Sequence, residues 1–118
     1  MTFRKDRYSH GGGLLIYVKK HLNCIRRIDL ECDELEAIQL EFKFTNSKPI
    51  LVCYSYRPPS SKVEWVDPFL NVLDKSYNEC KETIVLGDFN FDILKSTKST
   101  TFEFKWSFSS SNNKKVYF

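Results

Sequence analysis

The sequence lacks an apolar run of about twenty residues, so a helix that crosses a membrane is not expected. Residues 1–7 are largely charged and have no apolar segment directly behind them, so no secretory signal is expected either. No internal repeat is present. These absences leave a single globular domain without membrane association as the expected class.

Metal-binding cysteine and histidine patterns are also missing. The chain has four cysteines and two histidines, with no C-x-x-C pair and no histidine at a zinc-ligand spacing, so no zinc site is predicted. Cys53 and Cys80 lie in or beside apolar runs and are expected to be small core residues. Free thiols indicate an intracellular protein of the cytoplasm or nucleus. An extracellular disulfide scaffold is the alternative.

The composition is sufficient for one domain with a core. Of the 118 residues, 42% are hydrophobic and 15% aromatic, and the net charge is +3. This mildly basic balance permits a polyanionic partner without requiring one. Four cationic residues, Arg4, Arg7, Lys19 and Lys20, are either phosphate contacts or scattered surface charges, and the sequence leaves both interpretations open.

Three segments of the first half have the pattern of β-strands. The run at 14–18 follows Gly11-Gly12-Gly13, and these glycines allow a tight turn or a close backbone approach. A period of two at 38–44 predicts a strand whose even-numbered apolar residues, including Phe44, face inward. The run at 50–56 follows after a short turn, which predicts an antiparallel hairpin.

A helix and a further strand are expected next. Apolar residues recur at helical spacing, at Val66, Phe69, Leu70, Leu73 and Tyr77. Because Pro68 fits only in a first turn, Asp67 is the predicted cap. The strand at 83–86 follows, and the strand–helix–strand order predicts a crossover between neighbouring strands of one mixed sheet.

The strand at 83–86 ends in Gly87-Asp88-Phe89-Asn90. On an extended backbone residues i and i+2 point the same way, so Asp88 and Asn90 are predicted to face one site. A carboxylate beside an amide suits metal-assisted hydrolysis. The alternative is a strand followed by an Asx-type turn, because Gly, Asp and Asn are the usual turn residues.

Five segments occur in an order and spacing that resemble a known family. They read RKDR at 4–7, GGGLLIYVK at 11–19, ELE at 34–36, YSYRPP at 54–59 and GDFNFD at 87–92. Residues 4–95 resemble the endonuclease domain of non-LTR (LINE-type, jockey-like) retrotransposons. Those domains belong to the endonuclease/exonuclease/phosphatase superfamily and are similar to DNase I and apurinic endonucleases.

The resemblance implies a Mg²⁺-dependent phosphodiesterase, with Mn²⁺ as the alternative ion, that nicks target DNA during retrotransposition. Asp88 would contact the metal and position or deprotonate the attacking water. Asn90 would orient the site and touch the scissile phosphate, and Tyr56 would hydrogen-bond that phosphate. Arg57 and Arg7 are the expected substrate-binding residues. DNA is the implied partner, and neither a membrane nor a protein partner is expected.

The implied fold class is α/β (α+β), a partial endonuclease/exonuclease/phosphatase-type sandwich with a mixed β-sheet and a packed helix. This domain is assigned to residues 1–95, and residues 96–118 are predicted to be a divergent, poorly ordered tail, in which 100–108 could alternate as a strand. A missing flanking strand is expected to leave an open sheet edge and exposed apolar surface.

The family also has a metal-binding Glu, a further Asp and a terminal Ser-Asp-His segment, for which these 118 residues contain no counterpart. The expectation is an incomplete endonuclease, weakly active or inactive. The alternatives are a non-catalytic remnant with weak nucleic-acid binding and another phosphodiesterase or phosphatase of the superfamily. Glu34 and Glu36 are metal ligands in principle, although a solvated start of a strand is the favoured interpretation.

Overall fold

Two β-sheets and one α-helix make up the part of the chain that the structure, a computed structural model, describes: residues 1–7, 11–90 and 116–117. The elements are β1 (Thr2–Asp6), β2 (Gly13–Tyr17), β3 (Asn23–Arg26), β4 (Glu36–Lys43), β5 (Ile50–Tyr56), α1 (Val66–Asn78), β6 (Glu82–Asp88) and β7 (Val116–Tyr117). Two short 3-10 turns, Ile28–Leu30 and Val63–Trp65, precede β4 and α1. Among these described residues no helix is long and apolar enough to span a bilayer.

The larger sheet is mixed, as the strand–helix–strand order predicts. Its strand order is β3-β4-β5-β6-β7, with antiparallel pairing from β3 to β5 and parallel pairing from β5 to β7. β1 and β2 form a separate antiparallel hairpin. The predicted α+β class with a mixed sheet and a packed helix, the β4–β5 hairpin and the crossover of α1 between β5 and β6 are therefore confirmed.

The central strand β4 is buried on both faces, which the period of two does not reveal. Its even-numbered residues pack against the β1–β2 hairpin in a cluster that includes Ile16, Ile38 and Leu40. Its odd-numbered residues face α1, where Ala37 packs with Phe69. Amphipathic alternation predicts one wet face, but a strand that lies between two layers has none.

Three local expectations were wrong. Phe44 lies one residue after β4 and is 44% exposed. α1 begins at Val66 after Trp65, because the preceding 3-10 turn already holds Trp65 in the α region and leaves Asp67 within the first turn. Cys80 is exposed just after the helix with a φ of 60°.

The other cysteine expectation was correct. Cys53 is fully buried, and burial raises the pKa of its thiol to about 12. Cys24, Cys32, Cys53 and Cys80 are all free thiols in the structure.

The tail contributes one described element. Val116–Tyr117 pairs in parallel with Thr83 and Ile84, near the start of β6. No other described residue pairs with the Asp88 end of β6 on that side. The rest of the predicted tail, including the alternating stretch at 100–108, lies outside the described residues.

An ion-pair network joins β4 to the ends of α1 and β3. Arg27 Nη1 donates to Glu41 Oε2 at 2.6 Å, and its Nη2 donates to Glu79 Oε1 at 2.6 Å. Lys81 Nζ donates to the same Glu41 oxygen at 3.0 Å. Burial raises the pKa of Glu41, but the hydrogen bonds from Lys81 and Arg27 outweigh it and leave the pKa below its ordinary value. Hydrogen bonds from Arg27 and Lys81 likewise lower the pKa of Glu79.

Acid should weaken the fold through this network. Glu41 and Glu79 have a lower pKa when folded than the value of about 4.3 of an unfolded Glu, so the stability they contribute is present above that value and is lost as the pH falls through the folded pKa. We expect the urea midpoint to decline below about pH 5, and Glu41→Gln to reduce that decline while lowering stability at neutral pH. An unchanged pH profile in Glu41→Gln would exclude this contribution.

The helix-side core should carry much of the stability. Leu73 is 1% exposed and packs under the sheet, whereas Leu15 on the hairpin is 51% exposed. We expect Leu73→Ala to lower the free energy of unfolding by about 2–5 kcal/mol through lost burial and a residual cavity. The matched change Leu15→Ala should cost under about 1 kcal/mol. Urea unfolding followed by circular dichroism measures both, and equal losses would contradict the assignment of the core.

Candidate functional site

Four of the five predicted site residues meet where β5 and β6 end. These strands are parallel, so their carboxyl ends lie at the same sheet edge, and Tyr56 pairs in register with Asp88. The backbone N–H of Arg57 donates to the carbonyl oxygen of Asp88 at 2.8 Å, which continues the pairing by one residue. Asn90 lies two residues after Asp88, and its side-chain amide contacts the backbone of Arg57.

The fifth residue, Arg7, reaches this edge from the hairpin. Glu36 pairs with Tyr56 across β4 and β5, and Tyr56 pairs with Asp88, so these three side chains share the hairpin-side face of the sheet. Arg7 follows β1, and its Nε donates to Glu36 Oε1 at 2.5 Å. Its Cζ lies 5.7 Å from the centroid of the Tyr56 ring. The hydrogen bond to Glu36 raises the pKa of Arg7, which keeps the guanidinium charged.

A pocket of about 200 Å³ opens beside the row of side chains formed by Glu36, Tyr56 and Asp88. Two residues of the hairpin, Gly13 and Leu14, form one wall. The opposite side is formed by the ends of the parallel strands: Tyr54, Ser55, Tyr56, Leu86, Gly87 and Asp88. The pocket therefore combines an apolar wall with a phenol and a carboxylate. Tyr54 is not among the predicted site residues, because the position of the hairpin that completes this pocket could not be predicted from the sequence.

The Asp88–Asn90 segment has the geometry of an Asx-type turn. Asp88 Oδ1 accepts a hydrogen bond from the backbone N–H of Asn90 at 3.0 Å, and Asn90 has a φ of 50°. β6 ends at Asp88, so the i, i+2 alternation of a strand does not extend to Asn90. The Asn90 Nδ2 donates to the carbonyl oxygen of Arg57 at 2.6 Å. The geometry is that of the turn alternative, and the expected alignment of Asp88 and Asn90 along an extended strand is not present.

Arg57 is held by the backbone around it. Its Nη2 donates to the carbonyl oxygen of Ser61 at 2.7 Å, its Nη1 donates to that of Phe89 at 3.4 Å, and the guanidinium lies 5.8 Å from the Trp65 ring. These contacts tie the segment after β5 to the segment after β6. In this geometry Arg57 fixes the loops that carry Asp88 and Asn90.

The described residues contain no group of three or more His, Cys, Asp or Glu side chains that could hold a metal ion. Asp88 is the carboxylate that lines the pocket, Glu36 is paired with Arg7, and Glu34 is exposed. Proteins commonly hold Mg²⁺ with one or two carboxylates together with substrate phosphates and water. Asp88 could contribute one carboxylate ligand to such an ion, but the described residues do not form a complete metal site.

Comparison of the chain with protein-family models, curated proteins and solved structures gave no match. The function of the site is therefore inferred from its own residues and from the order of the five motif segments.

Gly87 is required where β6 approaches β5 most closely. It pairs with Ser55, and a Cβ added at Gly87 would overlap the carbonyl oxygen of Ser55. Because that atom belongs to a buried strand backbone, it cannot move aside cheaply.

We expect Gly87→Ala to lower the free energy of unfolding by about 1–3 kcal/mol or more through overpacking. Its neighbour Leu86 is 44% exposed, and Leu86→Ala should cost clearly less. Urea unfolding followed by circular dichroism compares the two variants. A Gly87→Ala protein as stable as the parent would show that the strands can separate at this point.

Proposed function

We propose that this chain carries the Asp–Asn–Tyr part of a Mg²⁺-dependent DNA endonuclease site of the type that LINE-like retrotransposons use. The observation that supports the proposal is the direct pairing of Tyr56 with Asp88 at the end of two parallel strands, where both line a pocket and Arg7 lies over the Tyr56 ring. The substrate is a DNA phosphodiester, and the place of action is accordingly the nucleus or cytoplasm.

Each side chain supplies one element of phosphodiester hydrolysis. Asp88 is exposed, and its Oδ2 makes no hydrogen bond within the described residues, so it is available to orient a water molecule. The Tyr56 phenol can donate to a phosphate oxygen, and Arg7 adds positive charge beside it. Mg²⁺, when bound, supplies Lewis-acid stabilisation of the charge on the phosphoryl oxygens.

Asn90 has a double role in this proposal. One N–H of its amide holds the Arg57 carbonyl oxygen, and this bond fixes the turn that presents Asp88. A primary amide has a second N–H, which makes no hydrogen bond within the described residues and can donate to a phosphate oxygen. Arg57 contributes through the loops it ties together.

We expect the 118 residues by themselves to be weakly active or inactive. The metal-binding Glu and the Ser-Asp-His segment of the family have no counterpart among them, and members of a catalytic site act as a unit, so the loss of one main member costs orders of magnitude.

A non-catalytic nucleic-acid-binding role is the second candidate. It is favoured by the Asx-type turn, in which Asp88 Oδ1 and Asn90 Nδ2 both bond to backbone groups. The net charge of +3 is compatible with weak, salt-sensitive binding of DNA.

Nicking of supercoiled plasmid in Mg²⁺ tests the endonuclease proposal. We expect slow conversion to open circles that chelation of the metal abolishes. Asp88→Ala should reduce it by at least about a hundredfold, because it removes the group that orients the water. The control is Asp67→Ala, an exposed aspartate in the first turn of α1 outside the site.

Nicking that survives in Asp88→Ala would exclude this site as its source. Absence of nicking together with salt-dependent DNA binding would favour the non-catalytic role. A chain that neither nicks nor binds DNA at low ionic strength would exclude both candidates.

A further inference from the structure

The catalytic roles above do not explain the Gly11-Gly12-Gly13 segment or Glu36. Glu36 contacts Arg7, and the glycine segment lies beside it. Gly12 has a φ of 96°, and a Cβ added there would lie 2.7 Å from the Cζ of Arg7. The Cζ also lies 5.7 Å from the centroid of the Tyr56 ring. The guanidinium thus occupies space that only a glycine at position 12 leaves open.

Glu36 fixes the orientation of the same guanidinium. It accepts the hydrogen bond of Arg7 Nε at 2.5 Å, and the side chains of Arg7 and Glu36 are only 28% and 14% exposed. Glu36 lies directly opposite Tyr56 in the β4–β5 ladder, so one strand pair presents the carboxylate and the phenol together. Apart from their contact with Tyr56, the terminal nitrogens of Arg7 make no hydrogen bond with another described residue.

We propose that Arg7 is a preorganised phosphate-binding arm of the site, and that Gly12 and Glu36 are its positioning residues. This inference rests on the proposed function, because it takes a DNA strand as the ligand. The planar fork of two terminal nitrogens matches two oxygens of a phosphate group. A side chain that is already held in its binding conformation avoids most of the entropy cost of ordering.

The row formed by Glu36, Tyr56 and Asp88 explains how one nucleic-acid strand can contact both ends of the site. Glu36, Tyr56 and Asp88 lie on successive strands, which are about 4.8 Å apart in a sheet. Arg7 sits over the Glu36–Tyr56 end of this row, and Asp88 forms the other end. A nucleic-acid strand that crosses this sheet edge therefore places the oxygens of one phosphate against Arg7. Asp88 then faces the neighbouring part of the nucleic-acid backbone.

Gly12→Ala tests the arm without changing any charge. The new methyl group meets the far end of a flexible side chain, so Arg7 should be displaced while the fold persists. Gly11→Ala is the matched control, because Gly11 also has a positive φ, 75°, and an added Cβ there meets no atom within 4 Å. Both variants place an alanine at a positive φ, and only the change at Gly12 puts the new methyl group against Arg7.

The probe is a short fluorescein-labelled DNA duplex, and its affinity is measured by fluorescence anisotropy at several salt concentrations. We expect Arg7→Gln to weaken binding about tenfold, the size of one lost charge-assisted hydrogen bond. The salt slope should fall by about 0.9, as for one phosphate contact. Gly12→Ala should weaken binding about three- to tenfold, and Gly11→Ala by less than roughly twofold. Arg4→Gln removes the same charge from an exposed pair with Asp6 on the same hairpin and should leave the salt slope unchanged.

A double-mutant cycle separates positioning from simple charge. In a Glu36→Ala or Gly12→Ala background, Arg7→Gln should cost at most about threefold instead of tenfold, because the arm is already displaced. If Arg7→Gln costs the same in every background while the parent chain binds DNA, the positioning role is excluded and the proposed function remains. If the parent chain does not bind the duplex, the inference falls together with the DNA-directed function. Circular dichroism melts of each variant identify any loss that is due to unfolding.

Discussion

The parallel pairing of β5 with β6 sets the geometry of the sheet edge and of the pocket beside it. It aligns Tyr56 with Asp88 and lets the backbone of Arg57 continue the ladder to the end of the strand. This pairing is non-local, because α1 lies between the two strands in the chain. It therefore persists only where the packing of α1 against the sheet repays the cost of closing the connection. The glycine at position 87 lets the two backbones come close enough for the pocket edge to form.

The strand β4 links the two halves of the molecule. One of its faces buries apolar residues against α1, and the other against the β1–β2 hairpin. The hairpin brings Arg7 to the edge where Glu36 begins the strand. Stability and site geometry are consequently coupled, since a shift of the hairpin on β4 would move Arg7 relative to Tyr56. The Arg27–Glu41 ion pair anchors the opposite end of β4 to the helix end through Glu79.

Much of the sheet could be predicted because its signals are local. Alternation at 38–44 and the apolar run at 50–56 identify the β4–β5 hairpin, and the spacing of Phe69 and Leu73 identifies the face of α1 that the sheet covers. The remaining errors occur where packing outweighs pattern. β1 and β3 carry few apolar residues and become strands only because a neighbour supplies the ladder. The buried face of α1 includes Val72 and Ser76, whereas the predicted face included Tyr77. Ser76 is buried there because its hydroxyl accepts a hydrogen bond from the side-chain amide of Gln39 in the sheet beneath.

The carboxylate and the amide at the end of β6 follow directly from the residues in the sequence, whereas a phenol and two arginines were expected beside them from the resemblance of the motif order. The sequence also identified the turn chemistry of Asp88 and Asn90, since both are properties of the residues and their immediate neighbours. The contacts that each of these groups makes became visible only in the folded structure. Arg57 turns to the backbone of Ser61 and Phe89, whereas Arg7, distant in the chain, lies over Tyr56 beside Glu36. The physical reason is that strand register and hairpin docking depend on contacts between residues far apart in the chain, which no local pattern encodes.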